Sequence, residues 1–320
     1  MLIYCFFLFT TFPSGLLGGT KRGFKDYTEY EPGNMSLIIT APHGGELTPS
    51  KQENGDPWPD RTAGCLGSSG CIWKHSCGEV DAEKCPAITE SDLFTATVAR
   101  DIADGIETIT GLRPHVVYCR LSRSKLDANR AMGPATLSVA DAVTAYRNYT
   151  TFIAKAVSAI PGRGLLLDIH GHGHKLQRTE LGYLIHGTEL DSGAYDGNNS
   201  SIKSLSNFWC GNDNACSRKL IRGNWSLGHF MNEEGLRAVP SPQEPVPKVS
   251  KTSIFLSGGL TVMKYGSKEE GKIDAIQMEL PQQLRLNKTA WQDSRLRLSK
   301  AISGFFKINY LRDNRRTINL

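Results

Sequence analysis

Short apolar runs recur along the chain, each closing on glycine or a polar residue: residues 36–40, 115–119, 164–169, 183–186 and 275–280. Runs this short, rich in Ile, Leu and Val and lacking strict polar alternation, have the pattern of buried strands. Between them the period becomes helical. Thr89-Glu90-Ser91-Asp92 has the layout of a capping box, and Ala99, Ile102, Ala103 and Ile106 follow at helical spacing. Ser138-Val139-Ala140-Asp141 opens a second helix with Val143, Tyr146, Ile153, Ala156 and Ile160 on one face, stopped by Pro161-Gly162. A third runs from about residue 289 to 311, with Ala301, Ile302, Phe305 and Ile308 as its stripe. Strands alternating with helices predict an α/β fold, a mostly parallel or mixed central sheet flanked by helices.

Two stretches rich in Gly, Ser, Asn, Pro and Cys, at about 50–88 and 188–252, break the alternation. Loops this long inside a compact domain are usually functional or cross-linked. Cys65, Cys71, Cys77 and Cys85 fall in the first, Cys210 and Cys216 in the second. Both are therefore expected to be disulfide-stapled insertions that wall or cover a site. A zinc site built from the first four cysteines is the rival reading, and spacing alone leaves three pairings open. With 320 residues, 39% of them hydrophobic, the chain suits one large domain with insertions from residue 19 to 320. The net charge of +5 is scattered apart from Arg312, Arg315 and Arg316. No basic stripe with interleaved aromatics is present, which argues against a nucleic-acid partner.

Three features point to export. Residues 2–12 form an apolar run too short to span a bilayer, followed by small residues at 15–19. This fits a signal peptide ending near residue 18, although no Lys or Arg precedes the run. A buried N-terminal strand is the alternative. N-x-S/T sequons begin at Asn34, Asn148, Asn198, Asn199, Asn224 and Asn287, so N-glycans are expected. Cysteine usage agrees, because disulfides persist in oxidising compartments. Loss of Cys5 with the signal leaves seven cysteines, so one thiol, with Cys119 the candidate, is unpaired or bonded to a partner.

Candidate chemistry lies at the ends of the strand-like runs. His43-Gly44-Gly45-Glu46 can turn sharply and aim an imidazole and a carboxylate at one metal ion. A second H-x-x-E, His186 to Glu189, shows how weak that spacing is alone. Leu165 to His174 is a buried run ending in Asp168, His170, His172 and His174, at the carboxyl end where open α/β sheets place their sites. One of these histidines as ligand, with the others in a loop, is preferred to a cluster made by this segment alone. Asp127-Ala128-Asn129-Arg130 offers a planar fork for a carboxylate, or a surface salt bridge. Glu279 sits within an otherwise apolar strand, where an acid is paired or functional.

Taken in order, these segments resemble zinc metallocarboxypeptidases of the carboxypeptidase A type, and more closely the N-formylglutamate amidohydrolase family. The closer likeness rests on Ala41-Pro42-His43-Gly44-Gly45, Arg123 with Asp127 to Arg130, Asp168-Ile169-His170, Gly258-Gly259 with Tyr265-Gly266, and Gln277-Met278-Glu279-Leu280. The resemblance implies a zinc ion on His43, Glu46 and His170, with His186 and Glu189 left as structural residues. It implies Glu279 as general base, Asn129 and Arg130 as a clamp on the substrate carboxylate, Arg123 assisting there or at the carbonyl, and Tyr265 lining the pocket. Asp168 is placed to orient a ligand from behind.

The expected activity is metal-assisted hydrolysis of the amide of a small N-acyl amino acid, or of a short peptide with a free carboxylate. A secreted metallocarboxypeptidase is the alternative, and a secreted zinc-binding module without catalysis is the third reading. Formylglutamate breakdown is intracellular, whereas this chain carries the features of an exported one. The reaction class is therefore expected to transfer more readily than the substrate.

Overall fold

The computed structural model describes residues 18–67, 70–71 and 79–311. The proposed signal segment up to residue 17, Cys77 and the basic residues Arg312, Arg315 and Arg316 lie outside the described residues. In chain order the elements are β1 (Lys21–Arg22), β2 (Thr28–Glu31), β3 (Leu37–Ala41), β4 (Ala63–Gly67), β5 (Gly70–Cys71), β6 (Glu79–Pro86), α1 (Thr95–Thr110) and β7 (His115–Cys119). There follow α2 (Met132–Thr136), α3 (Ala140–Ala159), β8 (Gly164–His172), β9 (Thr179–Gly182), α4 (Gly187–Ser192), α5 (Lys203–Cys210), α6 (Asn214–Arg222) and α7 (Leu227–Glu233). The last are β10 (Ala238–Val239), α8 (Leu260–Tyr265), β11 (Ile273–Pro281), α9 (Gln282–Leu286) and α10 (Lys288–Asn309).

Eight strands form the main sheet in the order β1-β2-β7-β3-β8-β11-β9-β10. Its centre is parallel, with β7, β3, β8 and β11 aligned, while β2 and β9 run against their inner neighbours. This is the mixed α/β sheet that the apolar runs imply. Period-two alternation divides the central strands between two cores. Leu37, Ile39, Leu165, Leu167, Ile276 and Met278 face a cluster with Ala99, Ile102 and Ile106 of α1 and Ile302, Phe305 and Phe306 of α10. Ile38, Val117, Leu166 and Ala275 face the other, with Ala145, Tyr149 and Ile153 of α3. A strand sandwiched this way has no solvated face, which explains the absence of polar alternation.

Two elements differ from the sequence reading. The run at 183–186 is not a strand; β9 lies just before it. Leu184 adopts a positive φ of 60°, which breaks extended pairing, while Tyr183 and Ile185 are still buried. The second insertion, read as loop, folds into α4 to α7 as far as Glu233. Asp213 and Ser226 cap α6 and α7 through their side chains, and Leu220, Ile221, Leu227 and Met231 join the first core. The disulfide Cys210–Cys216 ties the end of α5 to α6. In the first insertion β4, β5 and β6 form a small separate sheet, and Cys65 is disulfide-bonded. Cys119 is a buried free thiol. Among the described residues no helix is long and apolar enough to cross a membrane.

Candidate metal centre

The carboxyl ends of β3, β8 and β11 converge on one cavity. Along β8, Asp168 and His170 continue the side of the strand begun by Leu166, and along β11, Gln277 and Glu279 continue that of Ala275. The parallel register sets Gln277 beside Asp168 and Glu279 beside His170. His43 follows β3 by two residues, in a turn that only glycine fits. A Cβ on Gly44 would lie 2.3 Å from the Ala96 nitrogen, and one on Gly45 2.2 Å from the Arg120 carbonyl carbon. Asp92 comes from the segment before α1, and its backbone N–H donates to the His43 carbonyl at 3.0 Å. The Asp92 side chain does not cap the helix; Phe94 stands at that position in a left-handed conformation.

His43, Asp92 and His170 are buried and bring three donor atoms within 4.8 Å of one another. Asp92 Oδ2 lies 2.9 Å from His170 Nδ1 and 3.4 Å from His43 Nδ1, and accepts the Gly171 N–H at 3.2 Å. The far nitrogen of each ring is held by a second carboxylate. His43 Nε2 is 2.6 Å from Asp127 Oδ1, and His170 Nε2 is 3.0 Å from Asp168 Oδ2. Each carboxylate is itself anchored, Asp127 by Arg123 Nε at 2.9 Å and Asp168 by the Thr40 hydroxyl at 2.6 Å. A ring that donates Nε2–H outward presents the Nδ1 lone pair inward, the arrangement that orients metal-binding histidines. His43 Nδ1 is buried without a hydrogen-bond partner, a costly condition that a cation would relieve. The donor set of two imidazoles and one carboxylate fits a divalent transition metal.

Charge in the cluster is strongly organised. Burial works against ionising Asp92, yet the imidazoles of His170 and His43 beside it hold it below the ordinary carboxylate range. Burial likewise opposes charge on Asp127, and Arg123, His43 and Arg130 overcome it. Glu279 goes the other way. Burial pushes its carboxyl up to about 8, against the pull of His170 and with the help of Asp92 and Glu180. Gln277 Nε2 donates to Glu279 Oε1 at 2.8 Å, fixing its plane.

These groups open into a cavity of about 700 Å³ that Arg123, Asn129, Arg130 and Glu279 also line. Asn129 is engaged within the wall: its Nδ2 is 3.2 Å from His170 Nε2, and its Oδ1 accepts from the Thr261 N–H at 2.9 Å. Two residues expected at the site are elsewhere. Glu46 is exposed and lines a separate cleft with Leu47, Arg100 and Arg120. The turn through Gly44 and Gly45 carries it past the cluster, so the third donor near the two histidines is Asp92. Tyr265 is the last residue of α8, with its hydroxyl 3.4 Å from the Thr150 carbonyl, outside the cavity wall. His186 and Glu189 form a helix start, with the Glu189 carboxylate accepting the His186 N–H at 2.7 Å.

A second group, His172, His174 and Glu180, has the spacing of a metal site. Both ring nitrogens of its buried His172 and the Nδ1 of His174 are satisfied within the protein. His172 Nε2 meets the Arg178 carbonyl at 2.9 Å, its Nδ1 accepts the His174 N–H at 3.1 Å, and His174 Nδ1 pairs with Glu180 Oε1 at 2.9 Å. The orphaned Nδ1 of His43 therefore singles out the first group.

No protein-family model and no curated protein sequence matches the chain. Among solved structures it is similar to a gene product of Agrobacterium tumefaciens, at 12% identity and a TM-score of 0.47 over 89% of this chain and 96% of that one. It is similar to N-formylglutamate amidohydrolase from Ralstonia eutropha, at 12% identity and 0.46 over 86% and 95%. It is also similar to succinylglutamate desuccinylase from Chromobacterium violaceum, at 10% and 0.34 over 92% and 68%. All three scores lie below 0.5, and the chemistry of the site is read from its own side chains.

Proposed function

We propose that the protein is a secreted zinc-dependent amidohydrolase that cleaves the amide bond of an N-acyl amino acid. The observation that carries this reading is the pair of carboxylate-backed histidines, His43 with Asp127 and His170 with Asp168, turned toward Asp92 beside a buried Glu279. His43, Asp92 and His170 would hold the ion, and two nitrogens with one oxygen donor favour zinc over magnesium or calcium. When bound, such an ion lowers the pKa of water and polarises a carbonyl.

The chain's own groups supply the rest. Glu279 takes the proton of the attacking water and returns it to the departing amide nitrogen, so that water adds OH to the carbonyl carbon and H to the amine as the C–N bond breaks. Burial favours the protonated form of that carboxyl, so it can hold the proton between the two transfers. The guanidinium groups of Arg123 and Arg130 in the cavity wall bind the free carboxylate of the substrate and fix the scissile bond. Export is supported by the apolar segment at 2–12, the six sequons and the Cys210–Cys216 disulfide.

The test is hydrolysis of N-acetyl and N-formyl amino acids by the protein before and after chelation. Metal-dependent release of the free amino acid is expected. Absence of turnover on every N-acyl amino acid in the zinc-loaded protein would overturn the reading.

A further inference from the structure

The geometry points to an N-acyl amino acid with a long apolar acyl chain as the substrate class. This rests on the amidohydrolase reading and deepens it. The cavity has two chemically distinct parts. Its buried lining carries Arg123, Arg130 and the His43, Asp92 and His170 cluster, while its more exposed lining carries Leu93, Ile254, Leu256 and Leu286 alongside Glu90 and Gln282. Ile254 is 59% exposed, Leu93 41% and Leu286 37%. Single exposed apolar residues are ordinary, but several lining one cavity leave an unsatisfied apolar surface next to the reacting centre.

This apolar lining is held in place rather than loosely draped. The buried Glu180 accepts the Leu256 N–H at 2.9 Å, which pins the 254–256 segment to β9. Arg285 donates to the Leu93 carbonyl at 2.7 Å and to the Leu280 carbonyl at 3.2 Å, which ties Leu93 and the Leu286 end of α9 to one guanidinium. A substrate whose carboxylate meets the buried arginines extends its acyl group toward this apolar lining. A formyl group would leave most of the roughly 700 Å³ to water, whereas an alkyl chain fills it.

The experiment is a kcat/KM series on N-formyl, N-acetyl, N-hexanoyl and N-decanoyl glutamate with the zinc-loaded full-length protein. Burial of each methylene is worth about a two- to fourfold gain, so at least tenfold is expected from acetyl to hexanoyl. Ile254→Asn and Leu286→Asn should each lower the decanoyl-to-acetyl ratio about fivefold. A flat series, or the fastest turnover on the formyl compound, overturns the inference while the amidohydrolase reading stands. Preference for a blocked dipeptide over every alkanoyl compound also overturns it. Inactivity across the whole series overturns both.

Discussion

Glu279 of β11 and His170 of β8 occupy the same rung of the parallel pairing between their strands. Both therefore emerge on the same side of the sheet as neighbours, and Glu180 on β9 stands on the other flank of Glu279 in register. A buried carboxyl is thus built into the sheet beside the cluster, with no loop needed to deliver it. Gln277 holds one oxygen of Glu279 through its side-chain amide.

Replacement of Glu279 should separate chemistry from metal binding. Glu279→Gln is expected to lower kcat by at least about a hundredfold while zinc content stays at the wild-type level. Elemental analysis and steady-state assays on the same preparation check this. Loss of zinc in that variant would make Glu279 a ligand.

The carboxylates behind the histidines should matter to affinity. Asp168→Asn leaves a hydrogen bond to Thr40 available but removes the charge facing His170 Nε2. A weakening of zinc affinity of about ten- to a hundredfold is expected in competition with a chromophoric chelator. An unchanged affinity would show that His170 does not bind metal through its Nδ1 face.

Arg130 offers a direct test of the carboxylate clamp. Arg130→Ala should reduce kcat/KM on N-acyl amino acids far more than on their C-terminal amides, by on the order of a hundredfold against tenfold or less. Equal losses on the two substrates would assign Arg130 a purely structural role.

Asp274 gives a pH prediction away from the cavity. Burial raises its carboxyl from 3.8 to about 6, against hydrogen bonds from Ser267, the Leu205 N–H and Tyr310. A folded value above the unfolded one favours folding at low pH. That contribution is complete below about pH 4 and is lost as pH rises through about 6. The loss amounts to about 3 kcal/mol by pH 8. Asp274→Asn should flatten the decline in unfolding free energy between pH 5 and 8, measured by denaturant titration. An identical decline in the variant would place the effect in other groups.

Much of this arrangement is legible in the sequence, and the exceptions have physical causes. Central strands read well because β3, β7, β8 and β11 are buried on both faces, leaving uninterrupted apolar runs. Strand β2, Thr28–Glu31, lacks that signal, since its glutamates bond to Tyr118 and to arginines instead. Residues on strands or just after them, His43, His170 and Glu279, are located by register once the runs are found. Asp92 is not, because an acid at the fourth place of Thr89-Glu90-Ser91-Asp92 has the spacing of a helix start. Only the fold reveals that the backbone bond between Asp92 and His43 turns its side chain inward. Glu46 fails for the converse reason: spacing in sequence does not record which way a two-glycine turn points.

The most direct test is zinc content of the purified protein after dialysis, compared across single alanine variants. About one zinc per chain is expected in the wild type and in Glu46→Ala, with zinc lost from His43→Ala, Asp92→Ala and His170→Ala. Zinc retained in Asp92→Ala and lost in Glu46→Ala, or no zinc taken up by the wild type on titration, would contradict the site described here.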